Sequence, residues 1–556
     1  MEEVIQHKKS AFIFGNEAVA RGALEAGVGF VTNYPGTPAT EIGDTFAKIS
    51  KETGVYFEYS TNEKVALEAS AGAAFSGVKS MVVMKHYGLN VALDSLLPLV
   101  YLECPLVVVI ADDPGCSSSV QTEQDSRYFS KLGHLPTMEP ANPREAKEMT
   151  KSAFAISQNY RIPVLIRLTT RVSYSKEVVE FGKIPEIKTK GEFIKNPQGF
   201  KLGSSQTVAL HQKTLEKIAK IQKEISENQR FNFIQNGKGN LGMVVSGVSY
   251  DYLQEIIKKL ELNLPILKIG MSHPFPDEMA RQFLKNLEQI LVIEETEPVL
   301  EDELKRVAKE QSLAVKILGK DILPRQGELG PEEIEIALAK LGGRQISRDL
   351  AENIAKFKNL KGPARIPFWC PGCPHRETFK AVKAALGPDV IFGGDIGCYM
   401  LGAYPPVQML DFVVSMGAGA GIAYGLSKTN NKKPVAFIGD STFFHAGMPA
   451  LLNMVFNRAN ILLIILDNRC TAMTGQQPHP GTGFTATGEG TELILIEEIA
   501  KALGADFVET IDVYKPQEAV SKIKELYSKD GVSVIVARGE CVLFRKKRLK
   551  NSRGGG

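Results

Sequence analysis

The sharpest chemical signal is a pair of oxygen-bearing side chains set one strand–helix–strand unit apart. In KPVAFIGDSTFFHAGMPALLNMVFNRANILLIILDNRCTAMTG a strand ends in Gly439-Asp440-Ser441, a helix follows, and the next strand ends in Asp467-Asn468. Neighbouring parallel strands then carry Asp440 and Asn468 at their C-terminal ends, the edge where α/β folds bind ligands. A carboxylate, an amide oxygen and a backbone carbonyl just past Asn468 make a hard-oxygen pocket for Mg2+, with diphosphate oxygens as its further ligands. The Gly-rich turn lets backbone N–H groups approach phosphates at the helix N-terminus. Gly-Asp-Ser alone is an ordinary turn. The strand ending in Asp-Asn one unit later makes it specific.

Thiols form a second group. Cys370-Pro-Gly-Cys373-Pro-His375 is followed by Cys398 in Gly-Gly-Asp-Ile-Gly-Cys, with Cys541 far downstream. From the residues alone an iron–sulfur cluster, a zinc site and a redox thiol pair all remain open. Cys104 and Cys116 have no partners at ligand spacing and read as buried apolar side chains. His479 and Gln476 are candidates to line a site, as are His86 and His445, though each histidine reads equally well as a satisfied core residue.

The elements that position these groups are legible in outline. Residues 10 to about 175 alternate strand-like and helix-like segments (AFIFG, EAVARGALEAG, SMVVMK, LVVVIADDPG), the pattern of a parallel sheet covered on both faces. The expected organisation is a first domain over 1–175, a Lys- and Gly-rich connector over 176–238 with an amphipathic stretch from Thr214 to Gln229, a second α/β domain over 239–342, a linker over 343–365, a third α/β domain over 366–545, and a basic, Gly-ending tail over 546–556. No repeat of fixed period is present, yet domains one and three are candidates for the same fold.

Bulk composition narrows the class. The chain has 556 residues, 44% hydrophobic and 23% charged, with a net charge of +3, enough for three domains with their own cores. No apolar run approaches the roughly 18 residues of a membrane span, and the N-terminus lacks a signal core, so the cytoplasm is expected and no membrane partner. The cluster Arg545–Arg548 with Lys550 and Arg553 lacks the aromatic neighbours of a nucleic-acid surface and reads as a frayed, solvated end. Seven cysteines argue against a disulfide framework.

The Asp440 string resembles the thiamine-diphosphate motif GDG…NN, with Ser441 in place of its last Gly and Asp467 in place of its first Asn. The resemblance implies a fold of three consecutive parallel-sheet α/β domains of the thiamine-diphosphate-enzyme type. It implies Mg2+ on Asp440, Asn468 and the Cys470 carbonyl, and cofactor contacts from Gly439, Ser441, Gly417 and Gly419. Such enzymes need a carboxyl that bonds the aminopyrimidine ring and relays a proton. Glu63 in STNEKVALEASAGAAFSG fits, with Gly72 and Gly77 at the family's spacing, and Glu68 one turn on is the competitor.

Three more strings narrow the resemblance to 2-oxoacid:ferredoxin oxidoreductases of the indolepyruvate branch, large subunit: Asn33-Tyr-Pro-Gly-Thr-Pro38; Ala111-Asp-Asp-Pro-Gly followed by Gln121-Thr-Glu-Gln-Asp-Ser-Arg127; and Thr471 to Gly481. By that resemblance Thr37 contacts the substrate carboxylate. Arg127 is a candidate to pair with it through two N–H donors, a surface salt bridge being the alternative. His479 joins the site. Cys370, Cys373, Cys398 and Cys541 are implied as ligands of a [4Fe-4S] cluster, with Cys470 the next candidate for the fourth. The implied reaction is oxidative decarboxylation of an aryl 2-oxo acid to an acyl-CoA, with a smaller partner subunit, coenzyme A, and ferredoxin or another electron acceptor, in a hetero-oligomer. Members usually continue into a ferredoxin-like domain with repeated C-x2-C-x2-C-x3-C strings, which this sequence does not contain. A non-oxidative decarboxylase and a non-catalytic interaction subunit are the rival readings. The intact Glu63, Asp440 and Asn468 argue against the last.

Overall fold

The computed structural model describes residues 3–6, 8–118, 122–195, 202, 204–343, 345–357 and 367–553. Gln121 of the indolepyruvate-like string, residues 196–201 and 203 of the connector, 344 and 358–366 around the linker, and the Gly tail 554–556 lie outside the described residues. The chain divides into two compact units, one of Met1–Glu58 with Glu63–Gly362 and one of Tyr59–Asn62 with Pro363–Gly556.

The first unit holds a seven-stranded sheet, a five-stranded sheet and a two-stranded ribbon. At the centre of the larger sheet Leu106–Asp112 is buried at all seven positions, between Ser80–Lys85 and Val164–Thr169. A run of branched apolar residues with no polar alternation is what a strand covered on both faces requires. Numbered by their order in the chain, its strands lie 2-1-3-4-6-5-7 across the sheet, starting from Tyr56–Tyr59 beside Phe30–Asn33. The sheet's last strand, Met271–His273, joins it antiparallel to Thr137–Met138 from within the range assigned by sequence to the second domain. The five-stranded sheet centres on Leu241–Ser246, parallel to Ile266–Ile269 and Gln289–Ile293.

The connector is less separate than its composition suggests. Lys176–Glu180 pairs antiparallel with Ser10–Phe14, and Phe233–Gln235 pairs antiparallel with Ile266–Ile269. The amphipathic stretch lies in the helix Ser204–Glu227. Inside the linker range, Arg348–Phe357 is helical. The basic end is also a helix, Val542–Arg553, with Arg548 paired to Glu540 at 2.8 Å, rather than a frayed tail.

The second unit carries a six-stranded, wholly parallel sheet in the order 2-1-3-4-6-5: Phe412–Val413, Phe392–Gly394, Val435–Gly439, Ile461–Asp467, Val532–Arg538, Phe507–Asp512. This is the order of the first six strands of the seven-stranded sheet, so the two sheets share a topology. Period-two alternation divides the strands between two cores. Val435 and Phe437 face a cluster with Phe379 and Leu462, and Ala436 and Ile438 face one with Phe443 and Leu463. In both sheets the direction of winding reverses between strands 1 and 3, which opens a crevice at their C-terminal ends.

Arg127 corrects an expectation. Its side chain is 1% exposed, so it does not form a surface salt bridge, and its donors are engaged inside the fold. Its guanidinium donates to Asp125 at 2.5 and 2.9 Å, to Glu294 at 2.6 Å, and to the carbonyls of Glu295 and Glu297 at 3.0 Å. Arg167 continues the network to Asp112 at 2.7 Å and Glu139 at 2.8 Å. The cluster ties the edge of the seven-stranded sheet to the segment after Gln289–Ile293. Removing one member of a buried pair leaves a charge uncompensated, at a cost of about 3–5 kcal/mol. Arg127→Met should therefore lower the free energy of unfolding by an amount on that scale, read as a fall in the urea midpoint. A variant that keeps its midpoint and only raises the KM for substrate would restore the ligand-binding role.

Candidate active site

In the second unit the strand ends converge on Asp440, which is 2% exposed. Its Oδ1 accepts from the Ser441 N–H at 2.8 Å, and its Oδ2 accepts from the N–H groups of Asn468 at 3.0 Å and Arg469 at 2.8 Å. Arg469 itself adopts a left-handed φ of +66°. The loop after it closes by pairing Thr471 with Gln477, so that His479 Nε2 comes to 3.1 Å from Asp440 Oδ2. His479 Nδ1 accepts from the Gly481 N–H at 3.1 Å. Against the cost of burial, the charge and hydrogen bond of His479 and the Ser441 N–H hold the Asp440 carboxyl below its ordinary range. Among the described residues it pairs with no lysine or arginine. Asp467 beside it is raised by burial and by Asp440, and is engaged by Arg538 at 2.8 Å and Arg469 at 3.4 Å.

The donor chemistry suits a hard cation: an ionised carboxylate joined by a hydrogen bond to the strand end that carries an amide oxygen. Asn468 Nδ2 lies 2.9 Å from His375 Nε2, and its Oδ1 accepts from the Cys470 N–H at 3.0 Å. Ser441 Oγ meets Thr471 Oγ1 at 3.0 Å. Gly439 is required for space, since a Cβ there would stand 2.8 Å from the Tyr399 ring. Gly417 has φ +85° and donates its N–H to Asp395 at 3.0 Å, and a Cβ on Gly419 would meet the Gly394 carbonyl at 2.7 Å. These two glycines seat the helix Ala418–Thr429 against the strand Phe392–Gly394.

The cysteines converge in the same unit. Burial, then the neighbouring Cys373, Cys541 and Cys370, push the Cys398 thiol up to about 12. Burial raises Cys373 to about 11 although the N–H groups of His375 and Arg376 favour its thiolate, while Cys541 is lowered to about 6 by a hydrogen bond with Cys470, whose own thiol is raised. Cys373 and Cys541 precede the helices Pro374–Leu386 and Val542–Arg553, where N–H groups favour negative sulfur. Among the described residues no three His, Cys, Asp or Glu side chains already stand in metal-holding geometry. The Cys541 N–H donates to the Asn468 carbonyl at 3.0 Å, so the thiol group and the Asp440 site share Asn468.

Sequence reasoning missed three residues. Asp395 ends the first strand of the sheet, is fully buried and bonds the Tyr399 hydroxyl, which also lies 3.1 Å from Thr442 Oγ1 and from the Ile396 carbonyl. His375 is driven down to about 4 by burial and is neutral against Asn468. The available signal was a strand ending in Gly-Gly-Asp, the same pattern that marked Asp440.

In the first unit Glu63 is 6% exposed and begins the helix Glu63–Phe75, with Gly88 against it: a Cβ there would fall 2.5 Å from Glu63 Cγ. Glu68 is 47% exposed, bonded to Ser95 at 2.6 Å and paired with Lys64 at 3.3 Å. Gly72 and Gly77 face open space. Thr37 lies in the turn after Phe30–Asn33, and its carbonyl accepts from Ser118 Oγ at 3.3 Å. His86 is buried with Nδ1 3.0 Å from the Ala111 carbonyl.

Comparison with known proteins agrees with this geometry. The model for the thiamine pyrophosphate enzyme C-terminal binding domain matches residues 395–537, and that for the thiamine-diphosphate-binding part of pyruvate flavodoxin/ferredoxin oxidoreductase matches 21–229. The chain is 43% identical to the indolepyruvate oxidoreductase subunit IorA of Thermococcus kodakarensis over 97% of its own length and 87% of the relative's, and 38% identical to that of Archaeoglobus fulgidus over 98% and 89%. A solved 2-oxoglutarate:ferredoxin oxidoreductase from Magnetococcus marinus shares the fold, with a TM-score of 0.50 at 18% identity over 60% of this chain and 65% of that one.

Asp395 yields a pH test. Burial raises its carboxyl to about 8, so from about pH 4, where the free group ionises, to about pH 8 the folded chain keeps a proton that the unfolded chain has lost. Stability from this group therefore falls as pH rises through that window. Asp395→Asn can keep the fold, accepting from the Gly417 N–H through Oδ1 and donating to Tyr399 through Nδ2, and should flatten the slope. Thermal midpoints measured from pH 5 to 8 check it; parallel curves for variant and wild type would exclude a neutral Asp395.

Proposed function

The chain belongs to the family of indolepyruvate oxidoreductase IorA subunits, and on that premise we propose that it oxidatively decarboxylates an aryl 2-oxo acid to an acyl-CoA, with electrons leaving through an iron–sulfur cluster to ferredoxin. Its thiamine-diphosphate domains and its relatives make it a subunit of a 2-oxoacid oxidoreductase. The observation that carries the reading is Asp440, a buried carboxylate at a strand end, kept ionised by His479 and by backbone N–H donors and paired with no lysine or arginine among the described residues. A site of that charge calls for a metal, and diphosphate completes its ligation.

In this reading Asp440, Asn468 and the Cys470 carbonyl hold Mg2+, and Gly439 and Ser441 face the diphosphate. Thiamine diphosphate, when bound, supplies an electron sink for cleaving the bond between a keto carbon and its carboxylate. Glu63 is the carboxyl that holds and relays the aminopyrimidine proton, a role its burial suits and the solvated position of Glu68 does not. Thr37 donates its hydroxyl to the substrate carboxylate. His479 fixes the loop over Asp440 with its Nε2 proton. Cys370, Cys373, Cys398 and Cys541 hold the cluster. A decarboxylase that releases aldehyde has no use for thiols gathered beside Asn468, and that convergence favours oxidation over the rival reading. Coenzyme A, a smaller partner subunit and a cytoplasmic, hetero-oligomeric setting complete the proposal. No helix among the described residues is long and apolar enough to cross a membrane.

Asp440→Ala should abolish Mg2+-dependent thiamine-diphosphate binding in calorimetry, and unchanged binding would refute the metal assignment. Anaerobically prepared protein should carry about one four-iron cluster with a reduced-state paramagnetic signal. Cys541→Ser should remove that signal and the oxidase activity while aldehyde release persists. A full cluster in this variant would move the fourth ligand to Cys470, and iron-free wild-type protein that still releases aldehyde would favour the decarboxylase.

A further inference from the structure

The side-chain amide of Asn468 has two ends of nearly equal size, and only its oxygen can ligate a hard cation. Hydrogen bonds, and not shape, therefore decide which way the amide is turned. On one side Oδ1 accepts from the N–H of Cys470, the residue whose carbonyl is the third oxygen of the proposed metal site, at 3.0 Å. On the other side Nδ2 lies 2.9 Å from His375 Nε2, and because an amide nitrogen only donates, Nε2 is the acceptor. Turning the amide over would set its oxygen against the ring nitrogen and its NH2 against the Cys470 N–H, an acceptor facing an acceptor and a donor facing a donor. Both faults would be buried, since Asn468 is 5% and His375 3% exposed.

The His375 ring is itself held in place. It closes the string Cys370-Pro-Gly-Cys373-Pro-His375, whose thiols alone had been given a role, and stands in the first turn of the helix Pro374–Leu386. The start of that helix is seated against the strand ends beside Asn468. A Cβ on Gly539 would come within 2.7 Å of Pro374 Cβ, and the Gly539 N–H donates to the Asp467 carbonyl at 3.0 Å. The Tyr399 ring meets the imidazole edge-on, with centroids 5.9 Å apart, and the Tyr399 hydroxyl is anchored on Asp395.

We propose that His375 is a positioning residue for the metal: it fixes the Asn468 amide so that Oδ1, and not Nδ2, is presented to the cation that carries the diphosphate. The inference rests on the reading of Asp440, Asn468 and the Cys470 carbonyl as Mg2+ ligands. A partner that only orients a metal ligand is worth about ten- to a hundredfold in metal affinity.

The test uses the full-length protein with Mn2+ as a paramagnetic replacement for Mg2+ and with thiamine diphosphate, reading bound metal by electron paramagnetic resonance and cofactor binding by calorimetry. His375→Met and His375→Gln are matched in length, and only the glutamine brings a strong acceptor for the Asn468 NH2. The methionine variant should weaken Mn2+ binding, and thiamine-diphosphate binding with it, by about ten- to a hundredfold. The glutamine variant should recover most of that loss. In an Asn468→Asp background, where either end of the side chain is an oxygen, His375→Met should cost no metal affinity. A merely structural role would be damaged equally by both replacements and in both backgrounds, and either result overturns the proposal. If the methionine variant does not fold, His375→Gln still decides, because a folded glutamine variant that has lost the metal overturns it as well. Wild-type binding of Mn2+ that the methionine change leaves untouched sinks the role of His375 alone. Wild-type protein that binds neither Mn2+ nor thiamine diphosphate sinks the metal site and this role together.

Discussion

A buried carboxylate, Asp440, held ionised by His479 and by backbone N–H groups, organises the C-terminal edge of the six-stranded sheet. Asp440 gathers the end of its own strand through Ser441, the end of the next through the N–H groups of Asn468 and Arg469, and the loop beyond through His479. Burying an unpaired charge is costly unless every lone pair is met. That demand accounts for the convergence of the Ser441, Asn468 and Arg469 N–H groups on its two oxygens. It also explains why Asp467 is handed to Arg538 and Arg469, because two adjacent free carboxylates could not both stay ionised. Hydrogen bonds from three backbone N–H groups disperse the charge over the ends of two strands.

Asn468 extends the constraint to the thiols. Its carbonyl takes the Cys541 N–H, and its amide meets His375, two residues after Cys373. A displacement of Asp440 would reach both cysteine strings through one side chain and one peptide. Cys398 enters from the end of the first strand, and the Trp369 indole N–H fixes its carbonyl at 2.8 Å. The oxygen site and the sulfur site are therefore one packed object.

What the sequence revealed follows how local each determinant is. Asp440 and Asn468 were legible because a strand, a turn and a helix start lie within a few residues, and strand ends place side chains at the ligand edge of any parallel sheet. The alternation of segments likewise showed the α/β class. Arg127 misled because its string is local while its burial is not: Glu294 comes from another sheet's edge, and nothing near Arg127 announces it. The strand Met271–His273 was hidden for the same reason, since three residues carry too little periodicity to name the sheet they join. Tyr399 was invisible because its position depends on two glycines, Gly397 and Gly439, that make room for its ring.

The two sheets share the strand order 2-1-3-4-6-5, and so each has a crevice at the same topological point. Their contents differ. The crevice of the six-stranded sheet is lined by the acids Asp395 and Asp440, turned toward N–H donors. That of the seven-stranded sheet carries Thr37 and Glu63, with Gly88 cut to fit the acid. A common backbone supplies the edge, and the residues at its strand ends, rather than the strand order, decide what each edge can bind.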